Sequence, residues 1–177
     1  MHLKKCQGTI AVVAMLIVAG CGGHQEKSPN VRAAEKIVAE GRAMGPMPDG
    51  AFKASITTNG PPSKMRPGER STLTVKLKNN GNAPWPAHGR AGDGYYQVNL
   101  GDNWFDTRNK RLEKHPYVRS GLPKDLRPGE EIEVLLTITA PSTPGEYTLQ
   151  IDLVQEMVAW FSEKGSSSPK FKVNVGG

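Results

Sequence analysis

Apolar and polar residues alternate with a period of two through most of the chain, which is typical of β-strands with one buried and one solvated face. In the clearest segment, Leu73, Val75 and Leu77 alternate with threonine and lysine. The same pattern recurs in four further segments, at residues 96–100, 132–138, 147–153 and 171–175. Residues 52–58 add a sixth predicted strand, and we expect a seventh within residues 112–122.

One tetrapeptide, Arg-Pro-Gly-Glu, occurs at residues 66–69 and again at 127–130, each time before a long alternating segment. In such a turn proline fixes one backbone dihedral and glycine supplies a positive φ. We expect the two following strands to be neighbours in one sheet, like strands B and E of an immunoglobulin-like sandwich. No strong helical period follows Gly50, so residues 51–177 are predicted to form an all-β, immunoglobulin-like sandwich of about seven strands.

The first twenty residues have the features of a secretory signal peptide. Two lysines, Lys4 and Lys5, precede an uncharged, mostly apolar run at residues 9–19, which is too short to span a bilayer. The run ends in Val-Ala-Gly-Cys, which resembles a bacterial lipobox. This resemblance implies cleavage between Gly20 and Cys21 and attachment of lipid to Cys21.

Residues 21–50 are small, polar and interrupted by proline, and we interpret them as a lipidated N-terminus and flexible tether. Several acyl chains on one residue give stable anchoring. The expected location is therefore the bacterial cell membrane or outer membrane, with the domain facing the periplasm or the exterior.

Several segments together resemble a known immunoglobulin-like module: residues 78–86, 127–130, 140–147 and 152–161. They are similar to the four-tryptophan domain of a selective-autophagy receptor and its bacterial relatives. A looser likeness is to the glycan-binding sandwich of O-antigen ABC exporters. Three tryptophans are present, at Trp85, Trp104 and Trp160, so the fourth is missing. The resemblance implies binding or scaffolding without catalytic residues.

Cysteine and histidine offer no metal site in the predicted domain. Both cysteines, Cys6 and Cys21, precede it, which excludes a disulfide framework and a thiolate metal site there. His88 and His115 have no histidine or cysteine at ligand spacing, so we expect them in solvated loops.

Acidic residues give equally little sign of chemistry. Asp93-Gly94 and Asp102-Asn103 could offer oxygens to calcium but are more typical of turns. Asp152 and Glu156 are the nearest approach to an acid pair, and the alternation of residues 147–153 places both on the solvated face. We therefore predict no metal, no cofactor and no enzymatic activity.

The candidate binding residues are two aromatic pairs and a basic segment. In an extended chain, one ring of Trp104-Phe105 and one ring of Trp160-Phe161 would point outward. An exposed ring would serve as a sugar-stacking platform or a protein hot spot, whereas a buried ring would close the end of the sandwich.

Residues 107–127 contain seven basic side chains against Glu113 and Asp125, although the whole chain carries a net charge of only +6. The seven are Arg108, Lys110, Arg111, Lys114, Arg119, Lys124 and Arg127. This segment is either a solvated connection between the sheets or a surface for an anionic partner.

Taken together, the sequence predicts a membrane-anchored lipoprotein of the cell envelope whose domain is a protein-interaction or scaffolding module. The alternative is a module that binds cell-surface polysaccharide. A glycan module should present a tryptophan or tyrosine lying flat beside Asp, Asn or Gln, whereas a protein module should present a contiguous apolar patch. Nucleic acid is not expected as a partner.

Overall fold

The computed structural model of this chain describes residues 45–90 and 93–177. The predicted signal peptide, the lipidation site and residues 22–44 of the predicted tether lie outside these residues. The described residues form nine strands: β1 (Ala54–Thr58), β2 (Lys64–Met65), β3 (Arg70–Asn79), β4 (Val98–Phe105), β5 (Arg119–Gly121), β6 (Glu131–Thr139), β7 (Gly145–Gln155), β8 (Ala159–Trp160) and β9 (Lys170–Val175). Short 3-10 turns occur at Asp49–Ala51 and Ser162–Lys164. No helix among the described residues has the length and apolar character needed to cross a membrane.

The strands form two sheets, which pack as an immunoglobulin-like β-sandwich. One sheet has the order β1-β3-β6, and the other has the order β2-β9-β7-β4-β5, with β8 also paired to β7. β3 and β6 are antiparallel neighbours over nine residue pairs, as the repeated tetrapeptide predicted. The seventh predicted strand is β5, within residues 112–122.

The two Arg-Pro-Gly-Glu segments adopt the same turn. In each, the glutamate amide donates to the arginine carbonyl at 3.0 Å, and the glutamate carboxylate accepts the arginine amide. Gly68 and Gly129 have φ values of 72° and 84°, which only glycine adopts without strain. The repeated sequence therefore encodes a repeated structure within one domain.

Between the sheets, the alternating apolar residues form one core. Leu73, Val75 and Leu77 of β3 are buried in it, as the alternation predicts. Three aromatic rings close one end: Phe161 packs edge-on against Phe52 and Trp85, with both pairs of ring centroids 5.1 Å apart. The indole Nε1 of Trp85 donates to the carbonyl of Ala51 at 2.8 Å, so the polar atom of this buried ring is satisfied.

The course of β4 differs from the prediction. Tyr96 has a φ of 72° and lies before the strand, which begins at Val98. Asp102 and Asn103, predicted as a turn, lie within β4 and are buried. The alternation of apolar and polar residues fails to predict β4 because both faces of this strand are covered. Its polar residues are therefore buried along with its apolar ones.

Asp152 was predicted on a solvated face, and that prediction is wrong. Its side chain does point away from the core, but the chain after β7 turns back over this outer face through β8 and the second 3-10 turn. As a result, Asp152 is fully buried and Glu156 is half-buried.

Residues 45–50, which lie in the predicted tether, contact the domain. The amide of Met47 donates to Oε1 of Gln155 at 2.9 Å, and Nε2 of Gln155 donates to the carbonyls of Gly45 and Tyr96. Gln155 is fully buried at the end of β7. The chain therefore enters the domain at the Gln155 end of β7.

Candidate binding site

Three of the four candidate aromatic rings are buried. Trp104 and Phe161 are core residues with 1% and 0% exposure, and Trp160 is 9% exposed. Phe105, at the end of β4, is half-buried, with the Lys170 ammonium 5.7 Å from its ring centroid. Phe161 closes one end of the sandwich, in agreement with the interpretation of a buried ring, whereas Trp160 is buried outside the core.

Trp160 is enclosed between a glycine and a guanidinium on the outer face of the second sheet. An ideal Cβ placed on Gly101 would lie 3.3 Å from Cη2 of Trp160, so the indole approaches the β4 backbone closely. The Arg119 guanidinium carbon lies 4.5 Å from the indole ring centroid, which is cation–π geometry. Arg119 and Trp160, two of the candidate binding residues, thus contact each other, and each covers part of the other's surface.

Arg119 is further neutralised by an ion pair. Its Nε donates to Oε1 of Glu156 at 3.0 Å, and the same carboxylate oxygen accepts Nδ2 of Asn99 at 2.9 Å. The charge of Arg119 is therefore satisfied within the domain, and this side chain is not available to attract a distant anion.

Arg108 and Arg111 line a cleft of about 650 Å³ at the opposite end of the sandwich from the entry of the chain. One wall is the loop after β4, and the other is the connection between β6 and β7, including Pro141 and Ser142. Lys110 and Lys114 also line it, so four basic side chains surround the opening against Asp106 and Glu113.

Asp106 shapes the basic loop. Its carboxylate accepts the backbone amides of Lys110 and Arg108, both at 2.9 Å, and the guanidinium of Arg108. These hydrogen bonds, led by the one from the Lys110 amide, lower the pKa of Asp106 and so favour its charged form. They also hold the carboxylate toward its own loop. Arg108 is therefore paired locally.

The remaining cations of the cleft are not paired in this way. No described carboxylate lies within ion-pair distance of Lys110, Arg111 or Lys114. The guanidinium carbon of Arg111 lies 5.8 Å from the ring centroid of Tyr117, which is 45% exposed. With respect to the described carboxylates, these three side chains supply the unpaired positive charge of the cleft.

Aromatic groups lie on the inner side of the cleft. Tyr147 and His115 both line it and both pack edge-on against the buried Trp104, at centroid distances of 6.3 and 5.9 Å. His115 is half-buried, and its Nε2 is enclosed without a hydrogen-bond partner among the described residues. The prediction of a solvated loop histidine is therefore wrong for His115, whereas His88 is exposed in a loop.

Sequence reasoning missed two buried carboxyl groups. Asp102 accepts Nε1 of Trp104 at 3.0 Å and the amide of Val118 at 3.1 Å, while Asp152 accepts the amides of Leu153 and Ser162. Burial raises the pKa of Asp102, and burial raises the pKa of Asp152 to about 6. No cluster of three or more His, Cys, Asp or Glu residues with metal-binding geometry occurs in the described ranges.

The family model of the Ig-like domain from next to BRCA1 gene matches residues 58–164. The chain belongs to this family. The matched segment extends from the last residue of β1 through the second 3-10 turn, so it includes both walls of the cleft and the Arg119–Trp160 contact. As a domain of this family, it is a binding or interaction module. No curated protein sequence matches the chain.

Similar solved structures come from several kinds of protein. A β-glucosidase from Listeria innocua in complex with glucose has 16% identity and a TM-score of 0.42, covering 71% of this chain and 16% of that chain. Spo0M, a sporulation control protein from Bacillus subtilis, has 20% identity and a TM-score of 0.41, covering 71% and 49%. The CARDB domain of a Pyrococcus furiosus protein, in complex with di-metal ions, has 14% identity and a TM-score of 0.37, covering 70% and 86%. This chain therefore spans less than half of the first two proteins.

Proposed function

We propose that this protein is a lipid-anchored component of the bacterial cell envelope whose Ig-like domain is a non-catalytic module that binds another envelope protein. The observation that carries the choice of a protein over a polysaccharide is a cleft in which apolar groups, including Leu112 and Tyr147, lie among basic side chains, while three of the four candidate rings are covered. Trp104 and Phe161 lie in the core, and Trp160 lies between Gly101 and Arg119. A sugar-stacking site needs an open ring face, and none of these three rings offers one.

Two features support a non-catalytic role. Asp102 and Asp152 are the buried carboxyl groups with raised pKa, but each accepts hydrogen bonds from neighbouring backbone amides. They also point to opposite faces of one sheet, so they cannot act together on one substrate. The open cleft between residues 106–116 and 139–143 offers a recognition surface instead.

Membrane attachment is proposed from the sequence at Gly20-Cys21. Expression of the full chain in a bacterium with radiolabelled palmitate should label the wild-type protein and leave Cys21→Ala unlabelled. Label retained on Cys21→Ala would exclude Cys21 as the lipid-bearing residue.

The partner class can be tested with a photo-reactive amino acid placed in the full chain at Lys114, in the cleft. Lys53 is exposed outside the cleft and provides a matched control position. After irradiation in cells, the adducts are analysed in parallel for protein and for sugar. A protein adduct formed at Lys114 and not at Lys53 supports the proposal. A polysaccharide adduct at Lys114 would replace it with the glycan-binding alternative, and equal adducts at both positions would refute a cleft-specific interaction.

A further inference from the structure

The geometry of the basic cleft points to the kind of protein segment that it binds. We propose that the cleft holds an extended acidic peptide segment of the partner, with one bulky apolar side chain inserted between the two walls. This inference rests on the proposed function and names the chemistry of its partner.

Charge complementarity gives the first argument. Lys110, Arg111 and Lys114 line one wall, and none of them is paired with a described carboxylate. A single acidic side chain would leave two of these cations unmatched. An extended acidic segment can pair with all three cations, because its side chains are spaced along the same wall.

The apolar surface of the cleft gives the second argument. Leu112 and Tyr147 are half-buried, and Ala140 and Pro141 are buried on the opposite wall, so apolar atoms lie below the charged rim. A purely acidic polymer would leave this surface wet, whereas one apolar side chain would cover it. The same arrangement of an apolar centre and a charged rim is typical of protein interfaces.

The position of the cleft gives the third argument. Tyr147 lines the cleft, and Gln155, at the other end of β7, holds residues 45–47. Eight residues of strand separate these positions by about 26 Å. The first described residues, 45–47, therefore lie at the far end of the domain from the cleft.

The proposal is tested by fluorescence anisotropy with the full chain in non-ionic detergent. The probe is a ten-residue peptide of aspartate and glutamate with one central leucine, and a second probe has glycine in place of the leucine. We expect the leucine peptide to bind about tenfold more tightly, the difference of roughly 1.4 kcal/mol that partial burial of one leucine supplies. Binding should weaken at least fivefold as salt rises from about 50 to 300 mM.

The matched variants are Lys110→Glu/Arg111→Glu in the cleft and Lys53→Glu/Lys64→Glu outside it, all at exposed positions. The cleft variant should bind the leucine peptide at least tenfold more weakly, and the control variant should bind within twofold of the wild type. Thermal unfolding of each variant checks that the fold is retained, and the neutral pair Lys110→Gln/Arg111→Gln provides a milder second test.

Equal loss in both charge-reversal variants would mean that the chain attracts any polyanion, and it would overturn the proposal. Tighter binding of polygalacturonate or of phosphatidylglycerol vesicles than of the peptide at equal charge would overturn it as well. If the Lys114 photo-adduct still contains a protein while the peptide fails to bind, the proposed protein partner stands and only its acidic character is wrong.

Discussion

Asp102 and Asp152 occupy adjacent strands, but their carboxyl groups lie on opposite faces of the same sheet. Asp102 is opposite Ile151 in the β4–β7 ladder, and Asp152 is opposite Gly101, so the two aspartates are one position out of step. Asp102 meets Trp104 and Val118 on the inner side, whereas Asp152 meets the chain that covers the outer side. Each carboxyl group thus serves a separate structural contact.

The first prediction concerns pH and Asp152. Burial raises its pKa from 3.8 to about 6, so the folded state retains this proton after the unfolded state has lost it. The free energy of unfolding should therefore fall as pH rises from about 4 to 6, and the penalty should be complete above that range. Asp152→Asn removes this proton equilibrium. As pH rises from 4 to 7, the free energy of unfolding of the variant should therefore rise relative to that of the wild type by on the order of 2–3 kcal/mol.

Urea unfolding of both proteins from pH 4 to pH 8 measures this difference. The stability of Asp152→Asn should change less over the acidic range, although Asp102, whose pKa burial also raises, remains in both proteins. Parallel curves would contradict a raised pKa at Asp152.

The second prediction concerns the space above Gly101. A Cβ at this position would lie 2.7 Å from Nη1 of Arg119 and 3.0 Å from the carbonyl oxygen of Val118. Gly101→Ala should therefore cost about 1–3 kcal/mol, since the stacked guanidinium or the backbone must shift. Gly121→Ala is the matched control in the neighbouring strand, because its Cβ would meet only Asn99 at 3.7 Å. Chemical unfolding of both variants should separate them, and equal stabilities would exclude the close contact.

The third prediction uses the repeated turn. Gly68 and Gly129 have positive φ values, and no atom lies within 4 Å of a Cβ added at either. Alanine at either position should cost about 1–2 kcal/mol through backbone strain alone, and the two costs should be similar. Gly45→Ala, with equal space and no positive φ, should be nearly neutral by thermal unfolding. A large difference between Gly68→Ala and Gly129→Ala would show that the two turns are not energetically equivalent.

The fourth prediction concerns the carboxamide of Gln155. Gln155→Leu removes the acceptor of the Met47 amide and the donor to Gly45 and Tyr96, so it should destabilise the domain by about 2–4 kcal/mol. Hydrogen exchange at the Met47 amide should accelerate. Gln150→Leu, at another buried glutamine of β7, should leave this amide protected. Unchanged protection of Met47 in Gln155→Leu would contradict the contact.

Local patterns predicted the strands that have one wet face. Leu73, Val75 and Leu77 alternate with exposed residues because none of the residues that the structure describes covers the outer face of β3, so their burial follows from the sequence. The same rule misplaced Asp152, whose outer face is covered by residues ten positions later in the chain. Alternation reports which side faces the core, but it does not report what folds over the other side.

The candidate site was predicted in part for the same reason. Counting charges along residues 107–127 located the loop that forms one wall of the cleft, including Arg108 and Arg111. It also included Arg119, whose charge is satisfied by Glu156, 37 residues away in sequence. The opposite wall, at residues 139–143, carries no charge and gave no signal. Pairing between distant residues determines which cations remain free, and a single sequence does not contain that information.

The hydrogen bonds between Gln155 and residues 45 and 47 determine where a mechanical load would enter the domain. A pull on the chain ahead of Gly45 reaches the domain at one end of β7, and a partner in the cleft would resist at the other end, near Tyr147. Such a load runs along β7, which is paired antiparallel with β4 on one side and β9 on the other. The hydrogen bonds of the ladders are then sheared together rather than broken one after another, so the domain would resist tension between the proposed anchor and the proposed partner.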